Sequence, residues 1–168
     1  MIKLPNAYTV KIACITVVYC LLCSQAFAEL PKIDKLKAAY MYNFTKFITW
    51  QSNESVPIVF CIHKNDELLS FFDALVKTRE KDKISLVVSD SKHASYCHMT
   101  YLSASDELAD SQLRNSVLIT ENNEIIGVAP VFRFYTENQK LRFEIDVARA
   151  DELNVKISAK LLQVARVK

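Results

Sequence analysis

Cys61-Ile62-His63 and His93-x-x-x-Cys97-His98 are the residues of this 168-residue chain whose types and spacing could do chemistry. Thiolates and imidazoles are the donors that hold zinc or copper. Cys61 and His63 are two apart, so on a strand they share a face. One reading is therefore a metal site drawing on His63, His93 and His98 together with the thiolates. The competing reading pairs Cys61 with Cys97 as a disulfide beside surface histidines. A disulfide sulfur is no thiolate, so the two readings exclude each other. A redox-active pair would want Cys-x-x-Cys near a helix start, where the thiol pKa falls, and these cysteines lie far apart. There is no Gly-x-Ser-x-Gly elbow for a nucleophilic serine. A single glycine, Gly127, rules out a glycine-rich phosphate loop. Asp66, Glu67 and Asp73 read as a helix cap and solvated surface, and the mixed charge run over 77–83 as a solvated face. Nothing assembles a catalytic site, and the expectation is a non-enzyme without a cofactor.

Choosing between sulfur as ligand and sulfur as staple depends on the compartment, and the N-terminal segment speaks to that. Lys3 and Lys11 precede or open an apolar run through Ile12, Ile15, Val17, Val18, Leu21 and Leu22, and Ala26-Phe27-Ala28 has the A-x-A form of a cleavage site. The apolar run is about a dozen residues, short of the roughly 20 that a spanning helix needs. The expectation is a signal peptide over residues 1–28 and a mature domain over 29–168 in the periplasm. All nineteen acidic residues lie beyond Ala28 and two of the 21 basic ones precede it, so the mature domain carries nineteen of each. A neutral domain with no basic run gives no support to nucleic-acid binding. Cys14, Cys20 and Cys23 leave with the signal, and two cysteines in an exported chain usually pair. Export favours the disulfide; two buried free thiols are the alternative.

The elements that must position these residues follow from periodicity. Pro31 opens a helix on which Ile33, Leu36, Tyr40, Phe44, Phe47 and Ile48 recur at helical spacing and which ends by Trp50. Tyr42 points away from that face, either incidentally or as part of a contact surface. Residues 56–62 have the short apolar, β-branched pattern of a buried strand. Asn65 or Asp66 caps a second helix carrying Leu68, Leu69, Phe71, Phe72, Leu75 and Val76. Strands follow at 84–88, 98–102 and 116–120, with a short helix over 106–114. Alternating strands and helices predict a layered α/β sheet with parallel pairs in its first half. After that come an antiparallel hairpin over 131–135 and 141–145, turning at 136–139, and a last helix with Ile157, Leu161, Val164 and Ala165 along one side and Ser158 as cap. The fold class expected is a single three-layer α/β domain, a mixed sheet flanked by helices and closed by a C-terminal antiparallel hairpin.

Several of these segments together resemble the YfiR family of periplasmic proteins. Lys37-Ala-Ala-Tyr-Met-Tyr-Asn-Phe-Thr-Lys-Phe-Ile-Thr-Trp50 is similar to its opening helix. Ile58-Val-Phe-Cys-Ile62 and Cys97-His-Met-Thr-Tyr-Leu102 resemble the strands that carry its disulfide. Ser116-Val-Leu-Ile-Thr120, Leu141-Arg-Phe-Glu-Ile-Asp146 and Leu153-Asn-Val-Lys-Ile-Ser-Ala-Lys-Leu-Leu162 resemble the segments that follow, in the same order. A departure falls before the hairpin, where the family often has a glycine pair and a Met-Ile step and this chain reads Gly127-Val-Ala-Pro-Val131. The resemblance implies a non-enzymatic repressor that binds the periplasmic sensor domain of an inner-membrane diguanylate cyclase. It also implies sequestration by an outer-membrane lipoprotein, self-association as a dimer, and a disulfide whose state affects stability and activity. For the contact itself, Phe132, Phe134, Arg142 and Glu144 alternate on the hairpin as one mixed face; the competing reading packs the two phenylalanines under a helix and leaves Arg142 and Glu144 as a surface pair. The rival from another class is a periplasmic small-ligand or metal-binding module, which predicts free thiols or a concave apolar pocket.

Overall fold

The computed structural model describes residues 30–50, 57–79, 86–90, 96–103, 113–122 and 127–168. The chain divides into one unit over Met1–Lys32 and another over Ile33–Lys168, and the elements below belong to the second apart from the first residues of α1. Helix α1 (Leu30–Phe47) runs directly into strand β1 (Ile48–Trp50). Its buried positions are Lys37, Ala38, Met41, Tyr42, Phe44 and Thr45. The core closes over the C-terminal half of the helix only, so Ile33 and Leu36, expected on the apolar face, are 41% and 43% exposed. Tyr42, expected to point away, is in the core instead.

The sheet has seven strands among the described residues, in the order β3 (Leu86–Asp90), β2 (Ile58–Ile62), β4 (Met99–Leu102), β5 (Val117–Thr120), β6 (Phe132–Glu137), β7 (Lys140–Ile145) and β9 (Arg166–Val167). Strands β2, β3, β4, β5 and β6 run parallel to one another. Strand β7 is antiparallel to β6, and the two-residue β9 lies parallel beside β7. Between β2 and β3 sits helix α2 (Asp66–Thr78), capped by the Asn65 Oδ1, which accepts from the Leu68 N–H at 2.9 Å. The mixed α/β architecture expected from the pattern is thus the one formed.

Register sorts the side chains onto two faces. Phe60 lies level with Met99, Met99 with Val117, Ile119 with Phe132 and Phe132 with Ile145. This is the main core face, and both helices lie on it. Phe44 of α1 stacks on Phe132 with centroids 4.2 Å apart, and Phe72 of α2 meets Phe60 at 4.5 Å. The opposite face carries Leu102 and Leu118, packed with Leu113 and Val128 in a smaller cluster. Farther along it comes a charged row from β6, β7 and β9.

Several boundaries differ from the periodicity. The hairpin turn is two residues, Asn138 and Gln139, both at positive φ (51° and 58°), so the strands reach two and one residues farther into the expected turn. Paired left-handed residues match the right-handed twist of the strands. The last helix is one turn only, α4 (Ala159–Leu162), capped by Ser158. Before it come helix α3 (Val147–Glu152) and strand β8 (Val155–Ile157), which pairs antiparallel with β1 from Ile48↔Ile157 to Trp50↔Val155. Helical spacing among four apolar residues cannot distinguish a long helix from a strand and a turn that bury the same side chains. Residues 1–28, and all of the helix expected over 106–114 except Leu113 and Arg114, lie outside the described residues.

Candidate functional site

The two cysteines meet. Cys61, fully buried on β2, is bonded to Cys97 just before β4, with Cα atoms 5.8 Å apart. The thiolates that a metal site would need are consumed, and the histidines are separated as well. His98 lies level with Val59, at the N-terminal end of β4, while the His63 N–H donates to the Tyr101 carbonyl at 3.1 Å, beyond the C-terminal end of β2. Four residues of parallel strand, about 13 Å, divide those levels. His93 falls outside the described residues, and no group of three metal-ligating side chains occurs among the described ones.

His98 is built into the sheet. Its backbone N–H donates to the Val59 carbonyl at 2.9 Å, and its Nδ1 accepts from the Val59 N–H at 3.0 Å. That second bond requires an unprotonated Nδ1. Trp50 and Tyr96 bracket the ring edge-on at 5.8 and 4.8 Å. Burial holds its pKa below the ordinary histidine value.

The hairpin residues expected to share a face are divided by the pleat. Phe132 and Phe134 are 0% and 1% exposed on the core face, against Phe44 and Tyr40. Strand alternation sends Arg142 and Glu144 to the other side. There the Arg133 Nε donates to the Glu144 Oε1 at 2.6 Å. That hydrogen bond is the main reason Glu144 is held below the usual carboxylate range and Arg133 above its own. Tyr135 lies between the Arg133 and Arg166 guanidiniums, 5.4 and 4.3 Å from its ring. Glu137 serves two arginines, Arg166 at 2.8 Å and Arg142 at 4.0 Å. Tyr135 and Arg166 thus share a face with Arg142 and Glu144, and the two phenylalanines lie on the other.

Another cluster left no signal in the sequence. Lys37 of α1 is 8% exposed, and its Nζ donates to the Glu121 Oε1 at 2.7 Å, with the Asp34 Oδ1 at 3.5 Å. The Tyr101 hydroxyl donates to the same Glu121 oxygen at 2.9 Å. The network ties α1 to the C-terminal ends of β4 and β5 through partners 84 residues apart in the chain. Gly127-Val-Ala-Pro-Val131, the departure before the hairpin, is largely interior: Val128 and Val131 are buried, and Gly127 takes the positive φ (71°) that starts the segment.

Fold and clusters together define a disulfide-stapled α/β domain, with α1 and α2 on one sheet face and a paired-charge row on the other. The chain belongs to the YfiR/HmsC-like family, whose profile matches residues 34–166. It is a regulatory rather than a catalytic family, and a periplasmic one. No curated protein gives a significant match. No helix among the described residues is long and apolar enough to cross a membrane.

Proposed function

We propose that this protein is a periplasmic regulator that binds and represses the periplasmic sensor region of an inner-membrane diguanylate cyclase, coupling envelope or redox state to cyclic-di-GMP output. The observation that carries the reading is the family match over residues 34–166. Two further features support it. The Cys61–Cys97 bond suits an oxidising compartment, and the leader-like composition of residues 1–28 supplies a route there. Repression works by differential binding: the regulator stabilises the inactive form of the sensor, and whatever weakens its grip releases the enzyme. An outer-membrane lipoprotein that captures the regulator would act in this way, and so would reduction of the disulfide. A homodimer is the assembly proposed.

The test is genetic and biochemical together. Deleting the gene should raise cellular cyclic-di-GMP, and restoring the full chain should lower it. Protein recovered from the periplasm without reductant should begin at Glu29, contain no free thiol, and capture the cyclase's isolated sensor domain. Unchanged cyclic-di-GMP on deletion, with no capture of the sensor, would overturn the proposal.

A further inference from the structure

Among the described residues the sheet ends on an edge that is only half covered. Strand β9 pairs with Glu144 and Ile145 of β7 and with no earlier residue. The Lys168 N–H donates to the Ile145 carbonyl at 2.9 Å, which fixes the side to which Ile145 turns its backbone groups. In a strand this orientation repeats every second residue, so Phe143 and Leu141 turn theirs the same way. The Glu144–Arg166 step of the parallel ladder uses the Phe143 carbonyl as acceptor for the Arg166 N–H, so among the described residues the backbone groups without a strand partner on that side are the Phe143 N–H and the N–H and carbonyl of Leu141. Such an edge is a template for strand addition.

Its surroundings select what can add. On the core face the edge presents half-buried Leu141 and buried Phe143, and Tyr40 of α1 lies 5.3 Å from Phe143. One turn before Tyr40, Leu36 is left 43% exposed. On the opposite face lie Lys140 and the half-exposed guanidiniums of Arg142 and Arg166, with Glu137 paired to both arginines and Glu144, level with Arg166, held mainly by Arg133. A second copy adding its own β7 in antiparallel would bring Lys140 and Arg142 of both chains onto one face, where like charges repel. The complementary strand is apolar on alternate residues and acidic on the others.

We infer that the free edge of β7 at Lys140, Leu141, Arg142 and Phe143 is a docking site for an extended segment of a partner protein whose residues alternate apolar and acidic. The segment continues the sheet by backbone hydrogen bonds to both groups of Leu141 and to the Phe143 N–H. Its apolar side chains lie beside Leu141, toward Leu36, and its carboxylates meet Arg142. The inference deepens the regulator reading and rests on it for the origin of the segment; the chemistry of the edge is tested independently.

The probe is a labelled heptapeptide alternating Val and Glu, titrated into the oxidised full chain and followed by fluorescence anisotropy. It should saturate. The same peptide N-methylated on alternate residues, which removes its hydrogen-bond donors, and a Val–Lys peptide should each bind at least about tenfold more weakly. Arg142→Glu, a substitution at an exposed side chain, should reverse the preference between the Glu and Lys peptides. Amide exchange should slow at Leu141 and Phe143 when the Glu peptide is bound. Failure to saturate, equal binding of all three peptides, or protection elsewhere on the chain overturns the inference. If the wild-type chain captures the cyclase sensor and Arg142→Glu captures it equally well, the edge is overturned as the contact while the regulator reading stands. If the wild-type chain does not capture the sensor, the regulator reading fails, whatever the peptides do.

Discussion

His98 shows how a side chain singled out for one chemistry serves another. It drew attention as a possible metal ligand beside Cys97, yet its Nδ1 is occupied as an acceptor for the Val59 N–H. Protonation at Nδ1 breaks that bond and places a charge between two aromatic rings, so the folded protein binds the proton more weakly than the unfolded chain does. With the folded pKa lowered from 6.5, stability from the neutral ring is fully present above about pH 6.5 and is lost as pH falls through the lower folded value. Urea unfolding should therefore show a lower midpoint at pH 5.5 than at pH 7.5. Glu144, held below the carboxylate range, acts in a more acidic window. His98→Asn, whose Oδ1 can accept the same bond, should remove this step. Trp50, the single tryptophan, meets the ring at 5.8 Å and supplies the readout. Its emission should be quenched with a midpoint below 6.5, and an unquenched titration across that range would refute the assignment.

At the scale of elements, what was legible in the sequence were segments whose neighbours in the chain decide their state. Strand β2 and helix α2 formed almost where the apolar pattern put them, because a β-branched run and an Asn-capped 3.6-residue stripe are local signals. The disulfide belongs to this scale, since it joins β2 to the segment leading into β4. Cys61 and Cys97 are 36 residues apart, and closing a loop of that length restricts the unfolded chain by about 4 kcal/mol in the entropy model. Against a total stability of about 5–15 kcal/mol for an ordinary domain, that is a large share. Cys61→Ser with Cys97→Ser, or reduction of the wild type, should lower the urea midpoint without changing the far-ultraviolet circular dichroism of the folded baseline. An unchanged midpoint would show that the unfolded chain is already constrained. Elements whose partners are distant were the ones misread. Periodicity alone puts β1 at a helix end and Ile157 of β8 at a helix start, because each is a strand only by virtue of the other, more than a hundred residues away.

For the whole molecule, the C-terminal segment closes the fold at two places. Strand β8 holds the continuation of α1, with the Ser158 N–H donating to the Phe47 carbonyl at 2.8 Å, and β9 covers the end of β7. Val155 and Leu161 are 1% and 5% exposed. Losing two such side chains from the core costs about 3–6 kcal/mol, comparable to the whole stability of a domain of this size. A chain ending at Leu153 should accordingly melt without a sharp cooperative transition, while the full chain melts as one unit. A cooperative transition at the original temperature in the shortened chain would show that the parallel sheet stands alone.

The sequence by itself determined the class of fold, the pairing of Cys61 with Cys97 as the favoured reading, and the family resemblance. Each rests on local periodicity, on cysteine count after a leader, or on the order of segments. Only the tertiary structure decided which faces those segments present. The pleat sends Phe132 and Phe134 inward and Arg142 and Glu144 outward, the parallel register sets His63 and His98 at opposite ends, and Lys37 meets Glu121 across 84 residues. A strand's alternation is visible in the chain, but which side meets the core depends on where the helices lie, and that is settled by packing among distant residues.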